Sequence, residues 1–242
     1  MPGKNLQLAD DFAADYDASV LQNNWTGPQV LFELVEGELS TPSQLLDLGI
    51  GTGESARRFS EAGHAITGID GSEKMLKQCR NKNIGDRLIC HDLEQVPYPL
   101  ENKFDAIISN GVFHLINPIE PLFNEVKRLL KPNALFAFTF EEAGNTEKSI
   151  EIKTGVWEKE TESGVLTYKH SLSYIQRLLA ENNFTVLRQK QFLAFRNKKS
   201  DTDFYFTLIV ARLQPNREPQ YSAPTDSVAR YRWPAAMFYR CF

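Results

Sequence analysis

The chain has 242 residues, 42% hydrophobic and 24% charged, the balance of a soluble globular protein with room for one large α/β domain or two small ones. A formal net charge of −4 offers no broad basic surface, which argues against nucleic acid as a partner. No apolar run approaches the roughly 20 residues that span a bilayer. The start, Met1-Pro2-Gly3-Lys4-Asn5, has no apolar leader. Cys79, Cys90 and Cys241 are odd in number and lack metal-ligand spacing, so the expectation is a cytoplasmic protein with free thiols, no bound metal and no membrane contact.

In chain order, residues 1–40 are polar and helix-prone. Phe12 and Tyr16 stand four apart, which puts them on one face of a predicted helix around Asp10–Asp17. Trp25-Thr26-Gly27-Pro28 leads into a second helix, from about Gln29 to Glu38. The run Leu45-Leu46-Asp47-Leu48 reads as a strand that ends in the loop Gly49-Ile50-Gly51-Thr52-Gly53. A helix from Glu54 to Ala62 follows, then a second strand ending at Asp70. Gly71-Ser72 offers an N-cap for a helix through Arg80. A third strand, Asp86 to Cys90, runs into His91-Asp92-Leu93. Phe104 to Asn110 is a fourth strand, and a helix from Ile119 to Leu130 stops at Lys131-Pro132-Asn133.

Leu135 to Phe140 is a fifth, almost wholly apolar strand. Glu141 to Lys169 interrupts the alternation; it is polar and charged, and it reads as an insertion on the substrate side. A helix from Ser171 to Asn182 and two long strands, Phe184–Phe195 and Asp203–Leu213, complete the pattern, the short link at Asn197–Asp201 predicting an antiparallel hairpin. Beyond Leu213 come four prolines, four arginines and an aromatic end. That segment, 214–242, reads either as a disordered tail or as a piece that docks on a neighbouring surface such as a dimer partner. The whole is an α/β pattern with a mostly parallel sheet.

The glycine loop carries the chemistry. Glycine is required where backbone turns sharply or lies directly against a ligand. A dinucleotide fingerprint reads G-x-G-x-x-G and presents a helix N-terminus to a pyrophosphate. Here the third glycine comes one residue early, as D-x-G-x-G-x-G over Asp47–Gly53, and a ligand without phosphates suits it better. Asp70 lies 21 residues after Gly49, close to the spacing of about 20 expected for a ribose-binding acid.

On these residues the chain resembles the class I S-adenosylmethionine-dependent methyltransferases, over about Leu45 to Leu213. The resemblance implies a Rossmann-like seven-stranded, mostly parallel sheet with the last strand antiparallel. It also implies S-adenosylmethionine as methyl donor, S-adenosylhomocysteine as product and a small-molecule acceptor, in a monomer or homodimer. The domains would be an N-terminal helical lid (1–40), a methyltransferase domain (41–213, with 141–169 the insertion) and the tail. By the same resemblance Gly49, Gly51 and Gly53 run beneath the methionyl and ribose parts of the cofactor, Asp70 accepts the ribose hydroxyls, and Gly71, Ser72 and Met75 flank the adenine. Asp92 and the Leu93 amide meet the adenine edge, Asp47 the methionyl ammonium, and Asn110 and Gly111 touch the cofactor through backbone groups.

Each side chain also has a plainer reading: Asp70 or Ser72 as a helix cap, Met75 as packing, Asp92 as a solvated loop residue, Asp47 as a loop brace. His114, just past the fourth strand, stands within reach of the transferred methyl as a general base, and equally fits a helix start. Tyr16, in a Phe12-x-x-x-Tyr16-Asp17 lead like that of small-molecule methyltransferases, reaches the methionyl carboxylate or simply packs. Trp25 and His170 are candidates for the acceptor pocket, with packing and capping as their alternatives; His64 and His91 read as structural or exposed. The competing functions are an NAD(P)-dependent oxidoreductase, disfavoured by the glycine spacing, and a non-catalytic protein that binds S-adenosylmethionine.

Overall fold

The computed structural model describes residues 4–101, 103–143, 149–161, 164–197 and 201–215, so nearly all of the segment beyond Leu213, with Cys241, lies outside it. Three helices, α1 (Lys4–Phe12), α2 (Tyr16–Gln22) and α3 (Gly27–Val35), precede the first strand. Strands and helices then alternate as β1 (Gln44–Leu48), α4 (Glu54–Glu61), β2 (Ala65–Asp70), α5 (Glu73–Asn81) and β3 (Arg87–Cys90). After these come β4 (Phe104–Ser109), α6 (Glu120–Leu129) and β5 (Leu130–Glu141). Three short strands, β6 (Ile150–Lys153), β7 (Val156–Glu160) and β8 (Leu166–His170), lead to α7 (Leu172–Glu181) and the hairpin β9 (Phe184–Asn197) and β10 (Thr202–Leu213).

Seven strands form one sheet in the order β3-β2-β1-β4-β5-β10-β9. The pairs from β3 to β5 are parallel, and β10 runs antiparallel to both β5 and β9. This is the Rossmann-like sheet that the sequence predicts. Chain direction along the sheet reverses between β1 and β4, so a crevice opens at their carboxyl ends. Alternation along β5 shows why both faces must be covered. Phe136, Phe138 and Phe140 enter the core beneath α6 and α7, while Leu135 and Ala137 enter the core shared with α3, α4 and α5.

Two expectations need correction. Phe12 and Tyr16 do not share a helix: α1 ends at Phe12 and α2 begins at Tyr16, with their rings edge to face at 6.0 Å. The Asp15 N–H turns back to the Phe12 carbonyl, and the Asp15 carbonyl takes the first bond of α2 from Ser19 N–H. Aspartate competes with helical backbone bonding, and the run of acids in this lead breaks one helix into two. The interruption at Glu141–Lys169 is not irregular either, since β6, β7 and β8 form an antiparallel sheet of their own. Its polarity belongs to the solvated face, while Val156, Tyr168 and His170 turn inward. Gly155, at φ +83°, makes the tight turn between β6 and β7.

The Phe123 ring lies 5.6–6.0 Å from Phe113, Phe136 and Phe138 under α6. Phe123→Ala opens a cavity there and should lower the free energy of unfolding in urea by about 3–5 kcal/mol. A loss below about 1 kcal/mol would mean that this aromatic layer does not hold α6 to the sheet.

Candidate functional site

The site grows from the carboxyl end of β1. Gly51 takes φ +55° and turns the loop so that its N–H donates to Asp70 Oδ2 at 2.8 Å. Ser72 N–H donates to Asp70 Oδ1, also at 2.8 Å. One carboxylate at the end of β2 thus ties the glycine loop to the start of α5. Burial pushes the Asp70 carboxyl above its usual pKa, and these two backbone bonds oppose that shift. Each oxygen keeps a further lone pair for another donor. A Cβ added at Gly51 would meet nothing nearer than the Gly49 carbonyl at 4.0 Å, so this stretch of backbone faces open space.

That space is a cavity of about 680 Å³. Of the residues singled out in the sequence, Tyr16, Gly49, Gly51, Asp70, Gly71, Met75, Asp92, Leu93, Asn110 and Gly111 line it. Gly53, at φ +93°, precedes α4 and faces away from the cavity, and a Cβ there would strike Cys79 and Ile84. Ser72 is buried as the N-cap of α5; its Oγ accepts from Met75 N–H at 3.1 Å and donates to Asp10 Oδ1 at 2.5 Å. The Asp92 carboxylate accepts from Glu94 N–H and Gln95 Nε2 within its own turn. Asn110 is held on both sides, donating to Ser55 Oγ and accepting from Thr139 Oγ1, and Gly111 N–H is committed to Thr139 Oγ1 at 2.8 Å. Of the Gly111 backbone, the carbonyl is the group left to face a ligand.

Asp47 is the anomaly. It lies behind the loop, 1% exposed, and neither carboxyl oxygen has a hydrogen-bond partner among the described residues. Burial, with Asp70 nearby, pushes its pKa up to about 8. The Tyr16 hydroxyl is pushed to about 12 by burial and by the surrounding carboxylates Asp70, Asp17, Glu54 and Asp47, so at neutral pH it is a hydrogen-bond donor and not a base. Asp47 does not itself line the cavity, whose acids are Asp11, Asp70, Asp92 and Glu94. A pocket with this many acids, and an unpaired carboxyl buried behind its glycine loop, is suited to a ligand that carries a positive charge and several hydroxyls.

His114, Trp25 and His170 do not line this cavity. Phe206 links the first two, with its ring 5.1 Å from His114 and 5.4 Å from Trp25, and the three make an aromatic wall past the β4 end. His170 is fully buried, stacked on Tyr174 at 5.6 Å, with both ring nitrogens unpartnered among the described residues. His64 is structural: its Nδ1 accepts from Ser43 N–H, and Glu36 sits 3.1 Å from Nε2. His91 Nε2 lies 2.7 Å from the Gln95 carbonyl.

The sequence expectation of an N-terminal helical lid left unnamed several of the residues that wall the cavity from above. Asn5, Leu6, Leu8 and Ala9 of α1, with Leu115, Ile116 and Val165, complete the apolar wall. Nothing in their local pattern marks them, because ordinary apolar residues at helix or strand spacing read as core.

With this geometry in place, comparison with known proteins bears on the family. Residues 46–138 match the family described as "Methyltransferase domain". Those residues are similar to a methyltransferase domain. A malonyl-[acyl-carrier protein] O-methyltransferase of Priestia megaterium is similar at 25% identity, over 82% of this chain and 74% of that protein. The enzyme of the same name from Erwinia pyrifoliae is similar at 28% identity, over 63% of this chain and 56% of that one. The chain spans about half the length of several curated relatives it matches. The fold of the methyltransferase domain is shared with the 1,6-didemethyltoxoflavin-N1-methyltransferase of Burkholderia thailandensis, solved with 1,6-didemethyltoxoflavin and S-adenosylhomocysteine. Its TM-score is 0.64 at 17% identity, over 89% of this chain and 93% of that one. Among the described residues no helix is long and apolar enough to cross a membrane.

His114 and His170 give the chain a pH signature. Burial pushes both imidazoles down to about 4, and His114 beside it adds to the shift at His170. Unfolded, they bind protons near 6.5. As pH falls from 6.5 towards 4 the unfolded chain binds more protons, so stability drops; below 4 both states are protonated and the loss ends. His170→Phe keeps a ring on Tyr174 and removes one titrating group. Urea unfolding should therefore show a shallower fall in stability between pH 7 and pH 4.5. An unchanged slope would clear His170 of any part in it.

Proposed function

We propose that this chain transfers the methyl group of S-adenosylmethionine to a small-molecule acceptor. The observation that carries the reading is the pair of acids around the glycine loop: Asp70, which holds the loop and keeps acceptor capacity towards the cavity, and Asp47, buried beside it with no partner. The cofactor's chemistry answers both, with two ribose hydroxyls for Asp70 and an α-ammonium for Asp47. The Tyr16 hydroxyl is a donor suited to the methionyl carboxylate. Met75, Leu93 and Asp92 supply the apolar faces and the polar edge that an adenine needs, and the bare backbone at Gly49 and Gly51 lets the ligand lie against the loop. Gly53 and Ser72 then serve by shaping the loop and capping α5, while Gly71, Asn110 and Gly111 form backbone walls.

Bound there, S-adenosylmethionine supplies an electrophilic methyl on a sulfonium. The chain's own contribution is placement and exclusion of water, and holding reacting atoms in line is worth several kcal/mol. The aromatic wall of Trp25, Phe206 and His114 suits the approach of an acceptor past the β4 end, with His170 behind it. His114 is unprotonated at neutral pH and so can receive a proton from the acceptor. A pKa of about 4 leaves it little driving force to do so, and placement carries most of the rate.

Calorimetry with S-adenosylhomocysteine, S-adenosylmethionine and NADH tests the cofactor. The first two should bind and NADH should not, and Asp70→Asn should weaken S-adenosylhomocysteine by at least about tenfold, because charge-assisted hydrogen bonds are lost. Binding of NADH alone would replace this reading with that of an oxidoreductase. Transfer of labelled methyl is then screened over metabolites, with malonyl thioesters first because of the names of the relatives. His114→Ala and Tyr16→Phe should each slow turnover. Full activity in both would strip those residues of their roles, and no transfer to any acceptor would favour a non-catalytic binder.

A further inference from the structure

Asn5 stands in the first turn of α1, far in sequence from everything its side chain touches. Its Nδ2 donates to the Leu115 carbonyl at 3.2 Å and to the Leu166 carbonyl at 3.1 Å, and its Oδ1 accepts from Leu166 N–H at 3.2 Å. All three polar capacities aimed at the protein are satisfied by backbone. β8 is the outer strand of the small sheet, paired on one side with β7, and the Asn5 amide meets Leu166 as a neighbouring strand would. Leu115 follows His114 directly, and Leu166 opens the strand that ends at His170. One side chain therefore fastens the helix over the cofactor cavity to both elements of the acceptor side.

The rest of this cover is held on the cofactor side. Leu6 lies over Gly71, where an added Cβ would come within 2.4 Å of Leu6 Cδ2. Asp10 accepts from Ser72 Oγ, and Asp17 accepts from Thr52 Oγ1 at 2.6 Å and pairs with Lys82 at 2.6 Å. α1 is thus anchored at its C-terminal half to the start of α5, through Asp10 and an Asp11–Lys74 ion pair at 3.7 Å, and α2 is anchored through Asp17. At the N-terminal half of α1 the polar bonds between described residues run only through Asn5. Leu8, Ala9, Asp11 and Phe12 between these anchors line the cavity. A ligand leaving under α1 must first break one anchor, and the Asn5 end has no ion pair among the described residues.

We propose that Asn5 is a positioning residue, a clasp that holds α1 closed over the methyl donor and sets the rate at which donor and product exchange. The proposal rests on the cofactor reading above. It is not a catalytic role, since Asn5 touches neither reacting atom. Backbone bonds to β8 also make closure sensitive to the small sheet, so that the cover is firmest when the acceptor side is in place.

The test is stopped-flow binding of S-adenosylhomocysteine to the whole chain, wild type against Asn5→Ala, followed by tryptophan fluorescence or displacement. Loss of the clasp should raise the dissociation rate about tenfold and raise the association rate too, so that affinity changes less than either rate. The unliganded melting temperature should stay within about 2 °C of wild type. An unchanged dissociation rate would overturn the proposal; so would faster dissociation with unchanged association, which is the mark of a lost contact and not of a gate. Should Asn5→Ala not fold, Asn5→Asp keeps the acceptor for Leu166 N–H, removes both donors and is expected to behave the same way. Failure of the wild type itself to bind S-adenosylhomocysteine would remove the cofactor reading and the clasp with it, whereas binding with wild-type rates in the variants removes the clasp alone.

Discussion

Two backbone N–H groups, from Gly51 and Ser72, converge on the buried carboxylate of Asp70. The bond to Gly51 fixes the glycine loop across the end of β2, and the bond to Ser72 fixes the start of α5. Between them lies the floor of the cavity, whose shape therefore depends on a charge held at the end of a buried parallel strand. The sheet makes this possible because β1 and β2 pair in register from Gln44–Ala65 to Leu48–Ile69, which brings the loop and Asp70 to the same edge. Every other feature of the site is arranged around that fixed point, from the partnerless carboxyl of Asp47 to the helix laid across the opening.

The electrostatics follow from the same choice. Burial raises both acids. Two backbone bonds oppose the shift at Asp70, whereas Asp47 has no hydrogen bond among the described residues to offset the loss of water, and the Asp70 charge adds to its rise. An unpartnered buried carboxyl costs stability, and such a group is retained where a ligand completes it. The acceptor side is built in the opposite manner. His170 is fully buried with both ring nitrogens unpartnered among the described residues, His114 lacks a partner at Nδ1 among them, and both stay neutral at pH 7 among aromatic rings. The cavity thus has acids that suit a cation, while the aromatic wall of Trp25, Phe206 and His114 stands past the β4 end, outside the cavity lining.

Much of this was legible in the sequence because it is local. Strand, glycine loop, helix and strand announce themselves through glycine spacing and through acids that close apolar runs, so Asp47, Gly51 and Asp70 could be named from the chain alone. The parallel sheet followed from short apolar strands alternating with helices, and its seven-stranded form with the last strand antiparallel from the family resemblance. What was not legible is tertiary. Polarity in residues 150–170 concealed a strand pattern whose charges lie on the solvated face of a small sheet, and the acid-rich lead looked like one helix where Asp15 begins a second. Asn5 carries no signal at all, since its partners are 110 and 161 residues away. His114 was placed correctly in the chain but its chemistry was not, because loss of water is a property of the packed state.

The central claim is that the two acids at the glycine loop form a cofactor site completed by a cation. The most direct measurement is the number of protons released when S-adenosylhomocysteine binds at pH 7, read from calorimetric titrations in buffers of different ionisation enthalpy. Asp47, with a pKa of about 8, is largely neutral in the free protein and ionises against the ligand's ammonium, so the account predicts release approaching about one proton. Release should disappear in Asp47→Asn. Binding with no proton released, or with protons taken up, would contradict the account.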